Sequence, residues 1–199
     1  MTESLWPQLR LKADSEDELI EKYRQVYLEN YVHDENGNAR VFTDWCGVTY
    51  QFGAGAFDHA FTESTNYRTS AGIHDGGFSK KRARRIMWIK EVLALSAGTV
   101  QRYSQSRQTD RGKTAKRRTL VVVEEKYVVV FDDPRKVGDP HWFVTAFPAD
   151  QAYFDRIKRT SFLVETKQGG RYAPVLSATE AQPRTKTLGK GSTSSEELG

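Results

Sequence analysis

Residues 118–147 read RTLVVVEEKYVVVFDDPRKVGDPHWFVTAF, and this stretch decides the expected fold. Two runs of β-branched and aromatic residues, 118–123 and 127–131, are separated only by Glu124-Glu125-Lys126. So short a link between two strand-forming runs predicts a hairpin. A loop rich in Asp, Pro and Gly then leads to a further strand at 141–147, and a weaker strand precedes the pair at 99–107. Consecutive strands with short links favour an antiparallel meander.

Toward the amino terminus the hydrophobic period changes. Ser79 is a good N-cap for a helix over 80–94, which ends before Gly98. Further back, Ser15 and Glu18 form a capping-box pattern, followed at helical spacing by Leu19, Ile20, Tyr23, Val26, Tyr27 and Tyr31. That helix runs over 15–31 and stops before the turn signal at 34–38. Residues 40–52 suit one or two short strands, and Gly53, Gly55, Gly72, Gly76 and Gly77 mark a loop-rich region. Toward the carboxyl end the pattern predicts a helix over 150–159 and a short strand over 162–166. From residue 179 onward there is almost no apolar content, so this tail is expected to be disordered. The expected class is α+β: N-terminal helices packed on a four-stranded antiparallel meander sheet, with a disordered C-terminal tail. The expected organisation is an acidic helical segment at 1–40, a domain at 41–170 and the tail at 179–199.

The formal net charge of +4 hides an uneven distribution. Residues 78–118 hold 13 Lys or Arg against two acids, Glu91 and Asp110, while the rest of the 199-residue chain is net acidic. Charge concentrated in this way is a footprint for a polyanion, because phosphates neutralised by cations release condensed counterions. No run of 18 apolar residues is present to cross a membrane, so no membrane partner is expected. The opening MTESLWPQLR does not read as a secretory leader. Cys46, the sole cysteine, leaves no disulfide within the chain and no cysteine-rich zinc site. It reads as a small buried hydrophobe, and the cytoplasm is the expected location.

Four residues attract attention for chemistry. His59 lies between Phe57 and Phe61 after a glycine-rich stretch, beside the expected core, and histidine exchanges protons near neutral pH. On an uninterrupted helix over 80–94, Arg82 falls in the arc of Ile86, Ile89 and Leu93. A guanidinium among core-facing positions must find a pocket, an ion pair or solvent at the helix start, and its five-donor fork suits a phosphoryl group. Strand alternation sets Thr145 on the side of Phe143 and Phe147, where its hydroxyl is a donor to a phosphate oxygen. His141, just before the last strand of the meander, is a second acid or base candidate. Lys81, Arg84, Arg85, Arg102, Lys113, Lys116, Arg117 and Arg118 are candidate phosphate contacts, the run 113–118 as a loop between strands. Tyr103 and Trp88, near these cations, are candidate base-stacking rings. No metal-ligand spacing, Walker loop or dinucleotide fingerprint appears, so neither metal nor cofactor is expected.

Three segments carry a family resemblance: Phe57-Asp58-His59-Ala60-Phe61, residues 78–89 (FSKKRARRIMWI), and Phe143-Val144-Thr145-Ala146-Phe147-Pro148. Together with the Tyr-Val-Val-Val strand at 127–130, they resemble the phage- and toxin-associated branch of the barnase–EndoU–colicin–RelE-like nucleases. The resemblance spans roughly residues 50–150. It implies helices preceding a four-stranded antiparallel sheet and metal-independent endoribonuclease chemistry. His59 would be the acid or base, Arg82 with Arg85 would bind phosphate, and Thr145 would orient it.

The leading expectation is therefore an endoribonuclease acting as a toxin or an effector in phage conflict and antiviral defence. It would cut RNA, with tRNA or other structured RNA as candidate target, and leave a 2′,3′-cyclic phosphate end. An acidic antitoxin or immunity protein is the expected neutralising partner. Two rivals use the same basic surface: a non-catalytic RNA- or DNA-binding module, and a protein-interaction subunit such as a phage-encoded inhibitor.

Overall fold

Ser15 opens the first helix as a true cap, its Oγ accepting the amide N–H of Glu18 at 3.1 Å, while the Glu18 carboxylate reaches back to the amide of Asp14. α1 (Glu16–Tyr27) continues into a single π-helical turn, Leu28–Val32, which keeps Tyr31 and Val32 buried. The structure, a computed structural model, describes residues 3–63, 76–108 and 114–170. The tail expected to be disordered at 179–199 lies outside the described residues, as does Lys113.

After α1, β1 (Val41–Thr43) and β2 (Thr49–Gln51) form an antiparallel hairpin, followed by α2 (Ala56–Phe61). The single helix expected over 80–94 is instead two, α3 (Lys80–Ala83) and α4 (Trp88–Ala94). The reason lies in the core. The hydroxyl of Tyr31 donates to the Ile86 carbonyl at 2.6 Å and that of Tyr127 to the Arg85 carbonyl at 3.2 Å. Two tyrosines thus occupy acceptors in the segment where the helix breaks. α4 ends at Leu95 in the left-handed conformation.

β3 (Thr99–Gln108), β4 (Thr114–Val122), β5 (Tyr127–Asp132) and β6 (His141–Pro148) follow, then α5 (Gln151–Thr160) and β7 (Phe162–Gln168). Residues 114–118, expected as a loop, belong to β4. The expectation of helices on a four-stranded antiparallel meander is overturned. The sheet has seven strands in the order β1-β2-β6-β5-β4-β3-β7, is mixed, and curls into a half-barrel with few helices. The departure occurs at the edges. β2 pairs in parallel with β6, through Tyr50 opposite His141 and Gln51 opposite Trp142, and β7 pairs antiparallel with β3. Both additions satisfy backbone N–H and C=O groups that a four-stranded sheet would leave on open edges.

Each face of the sheet has its own apolar layer. On one, Tyr23, Tyr27, Tyr31, Trp88 and Ile89 pack with Leu120, Tyr127, Val129 and Phe131; on the other, Phe154 and Ile157 of α5 cover Tyr103, Val121, Val128 and Val130. Burial on both faces explains why β5 reads as an unbroken apolar run rather than an alternation. The segment ahead of α1 joins the first layer: Trp6 meets Trp88 edge-on, and the Trp88 indole N–H donates to the Pro7 carbonyl at 2.9 Å.

Candidate active site

β2 leaves the sheet after Gln51, and α2 takes its place along the remaining edge of β6. Phe57, Ala60 and Phe61 turn into the core, which leaves Asp58 exposed and His59 partly exposed. Asp58 is held by Arg24 of α1 through two hydrogen bonds of 3.2 and 2.8 Å.

A helix as short as α2 ends with several carbonyls lacking an intrahelical partner. The Phe61 carbonyl accepts the amide of Ser79 at 2.7 Å. Two neighbouring carbonyls are met by Arg82, whose Nη1 donates to Ala60 at 3.1 Å and to Thr62 at 3.0 Å. Thr145 Oγ1 also lies against the Ala60 carbonyl, at 3.5 Å. Arg82 and Thr145 therefore meet on one oxygen, in the residue next to His59. The guanidinium carbon of Arg82 stands 5.3 Å from the centre of the Phe147 ring. Burial lowers the Arg82 pKa, opposed by the Glu63 carboxylate and by Tyr127 and Tyr153. The 78–83 segment is fixed here by Ser79, whose Oγ donates to Glu63 at 2.8 Å and caps α3 at the amide of Arg82.

Thr145 reaches this edge because β6 carries a register shift opposite Val130 and Phe131. Strict alternation put Thr145, Phe143 and Phe147 on one side; the shift leaves Thr145 with Phe147 and turns Phe143 to the other face. Phe143 joins the α1-side core, Phe147 joins the α5-side cluster, and Thr145 sits opposite Val130 on the α5 side.

The remaining expected contacts differ in how they are held. Lys81, Arg84 and Lys116 are exposed, with no ion pair among the described residues. Arg85 lies over the Trp88 ring and donates to the Lys81 carbonyl. Three sheet arginines are matched by carboxylates: Arg102 by Glu165 at 3.0 Å, Arg117 by Asp132 at 2.7 Å, and Arg118 by Asp44 at 3.7 Å. Tyr103 and Trp88, expected to stack on bases, are buried at 3% and 0% exposure and present no ring face to a ligand.

A second polar cluster, unforeseen apart from its arginines and His141, occupies the α1-side face where the β1–β2 turn bends toward β7. Asp44 Oδ1 accepts the amides of Cys46 and Val48, and its Oδ2 accepts the Tyr50 hydroxyl at 2.6 Å. Tyr50 in turn accepts from Arg118 at 2.9 Å. Cys46 is exposed as a residue, not buried as expected, yet its sulfur donates to Glu165 at 3.1 Å. Lost hydration and that carboxylate push the thiol up to about 11, so it stays protonated. Among the described residues, no three His, Cys, Asp or Glu side chains gather as a metal-ligand set.

His141 brings an imidazole to this cluster. Its Nδ1 lies 3.2 Å from Asp133 Oδ1 without an aligned hydrogen bond. Burial, followed by Arg118, lowers its pKa; Asp133 and Asp44 oppose this, and Arg102 adds to the lowering. A base whose folded-state pKa lies below its unfolded value of about 6.5 binds fewer protons when folded. Its stabilising contribution is full above that value and is lost as the pH falls through the folded one. Denaturant unfolding at pH 7.5 and 5.5 is expected to show lower stability at pH 5.5, with a smaller difference in His141→Gln. An unchanged difference in the variant would assign the pH dependence to other groups.

Compared with known proteins, the chain matches no protein-family model, no curated protein and no solved structure.

Proposed function

We propose that this chain is a metal-independent endoribonuclease whose active site is built from His59, Arg82 and Thr145. The observation that carries the reading is the meeting of Arg82 and Thr145 on the carbonyl of Ala60, one residue from His59. These residues come from three segments far apart in sequence, and the same three segments carry the resemblance to the barnase–EndoU–colicin–RelE-like nucleases. The reading concerns the chemistry and not the sheet architecture which that resemblance implied.

Cleavage of RNA without a metal needs a base for the ribose 2′-hydroxyl, an acid for the leaving 5′-oxygen, and positive charge for the phosphorane-like transition state. His59 serves one proton transfer and solvent water the other, so that the 2′-oxygen gives up a proton and the leaving 5′-oxygen gains one. Arg82, with N–H donors beyond the Nη1 that binds the two carbonyls, supplies charge, and the Thr145 hydroxyl turns its one proton from the Ala60 carbonyl, 3.5 Å away, to a phosphate oxygen. In-line attack by the 2′-oxygen breaks the P–O5′ bond, leaving a 2′,3′-cyclic phosphate and a 5′-hydroxyl. Exposed Lys81, Arg84 and Lys116 supply sequence-independent attraction for RNA. The same cations suit an acidic antitoxin or immunity protein, and a cytoplasmic setting fits both partners.

The test is incubation with total RNA and labelled tRNA in excess EDTA. Discrete cleavage ending in cyclic phosphate supports the proposal. Tight, salt-sensitive binding that leaves RNA intact would replace it with a binding module. That second reading has its own observation: the distal pairs of β3 and β4, from Gln105 opposite Arg117 to Gln108 opposite Thr114, extend beyond the last β7 partner of β3. Neither binding nor cleavage would point to a protein-interaction subunit.

A further inference from the structure

Both rings expected to stack on bases are buried, yet another large aromatic is left open. Trp142 is 47% exposed, although tryptophan is highly buried on average. It has no ring contact among the described residues, and neither apolar cluster includes it. Its position follows from the register. Trp142 lies opposite Asp132, two residues along β5 from Val130, so both point to the α5 side. Thr145 lies opposite Val130 on that same side. Trp142 and Thr145 therefore share one face of one strand, at most roughly 10 Å apart along it.

α2 runs alongside this stretch. A Cβ on Gly53, just ahead of α2, would stand 3.9 Å from the Trp142 ring, and the Ala60 carbonyl near the helix end meets Thr145. His59 lies between those anchor points in the chain. The next residue in the row across the sheet from Trp142 and Asp132 is Arg117, whose Nε is held by Asp132 at 2.7 Å. A half-exposed indole thus shares a sheet face with the proposed phosphate site, beside the Asp132 carboxylate that Arg117 of the next strand neutralises.

We propose that Trp142 is a stacking platform for an unpaired RNA base flanking the phosphate at Arg82 and Thr145, an inference that rests on the RNA-cleaving reading of that site. Every base offers a π-face to an indole, so the platform would recognise single-stranded or extruded nucleotides with little sequence preference.

The test uses the full chain carrying His59→Ala, to limit cleavage, and fluorescence anisotropy with a labelled single-stranded oligoribonucleotide. A matched set carries one abasic ribose at successive positions. Adding Trp142→Ala is expected to weaken binding about tenfold, whereas Trp142→Phe should recover most of the loss. One abasic position should weaken the Trp142 protein by a similar factor and leave the Trp142→Ala protein unchanged. Because Trp142 is exposed, the thermal midpoint should stay within about 2 °C of the parent, confirming that both are folded. Binding by Trp142→Ala within twofold of its parent, or equal abasic losses in both proteins, would overturn the platform. Cleavage by the unmodified chain is scored separately. RNA cut normally with an indifferent Trp142 removes the platform alone. RNA bound but never cut removes the nuclease reading and leaves the abasic comparison to decide stacking. No RNA binding removes both.

Discussion

His59→Ala is expected to slow RNA cleavage by about 10²–10⁴-fold, the range for removal of a general acid or base. His59 is only partly buried and lies beside the core-facing residues of α2, so the fold should survive the change. The informative measurement is a pH–rate profile for the parent and variant under single-turnover conditions. The parent should show a limb that the variant lacks. Cleavage by His59→Ala within a few-fold of the parent, with the limb intact, would remove His59 from the chemistry. His141 would then be the histidine to test.

Arg82→Met should have two separable consequences. Its Nη1 serves the carbonyls of Ala60 and Thr62, and methionine offers no donor. Leaving those acceptors without their charged partner, in a partly buried setting, costs about 3 kcal/mol, measurable as a shift in the denaturant midpoint. Under conditions where the variant remains folded, cleavage should also fall by 10²-fold or more if the guanidinium carries the transition-state charge. Arg82→Lys separates the roles, because a lysine is a point charge that cannot reproduce the planar fork. Partial rescue of cleavage without recovered stability would mark charge as the catalytic contribution. A destabilised Arg82→Met that cleaves at the parental rate would leave Arg82 as a helix-capping residue only.

The placement of Arg82 shows how far the local pattern reached. Its placement among core-facing residues was legible from the spacing to Ile86, although the uninterrupted helix behind that calculation does not form. The break depends on hydroxyls from Tyr31 and Tyr127, 55 and 42 residues away from the carbonyls they occupy. No window centred on residues 80–94 contains either tyrosine. The grouping of Thr145 with Phe143 failed for a related reason: alternation presumes an unbroken ladder, and the register shift in β6 appears only when β5 lies beside it.

By itself, the sequence determined the features set within a few residues: the Ser15 cap and the helix after it, the Ser79 cap, the helix over 150–159, the strands through 99–107, 127–131 and 141–147, and the concentration of cations in 78–118. Periodicity and capping are short-range physics, and they are written in short-range spacing. Only the tertiary structure decided that β2 and β7 extend the sheet, that Arg102, Arg117 and Arg118 meet carboxylates, that Tyr103 and Trp88 are buried, and that Trp142 is open. Those outcomes depend on which edges and faces find a partner, and that choice is made between segments tens of residues apart by the need to pair backbone groups and bury apolar surface together.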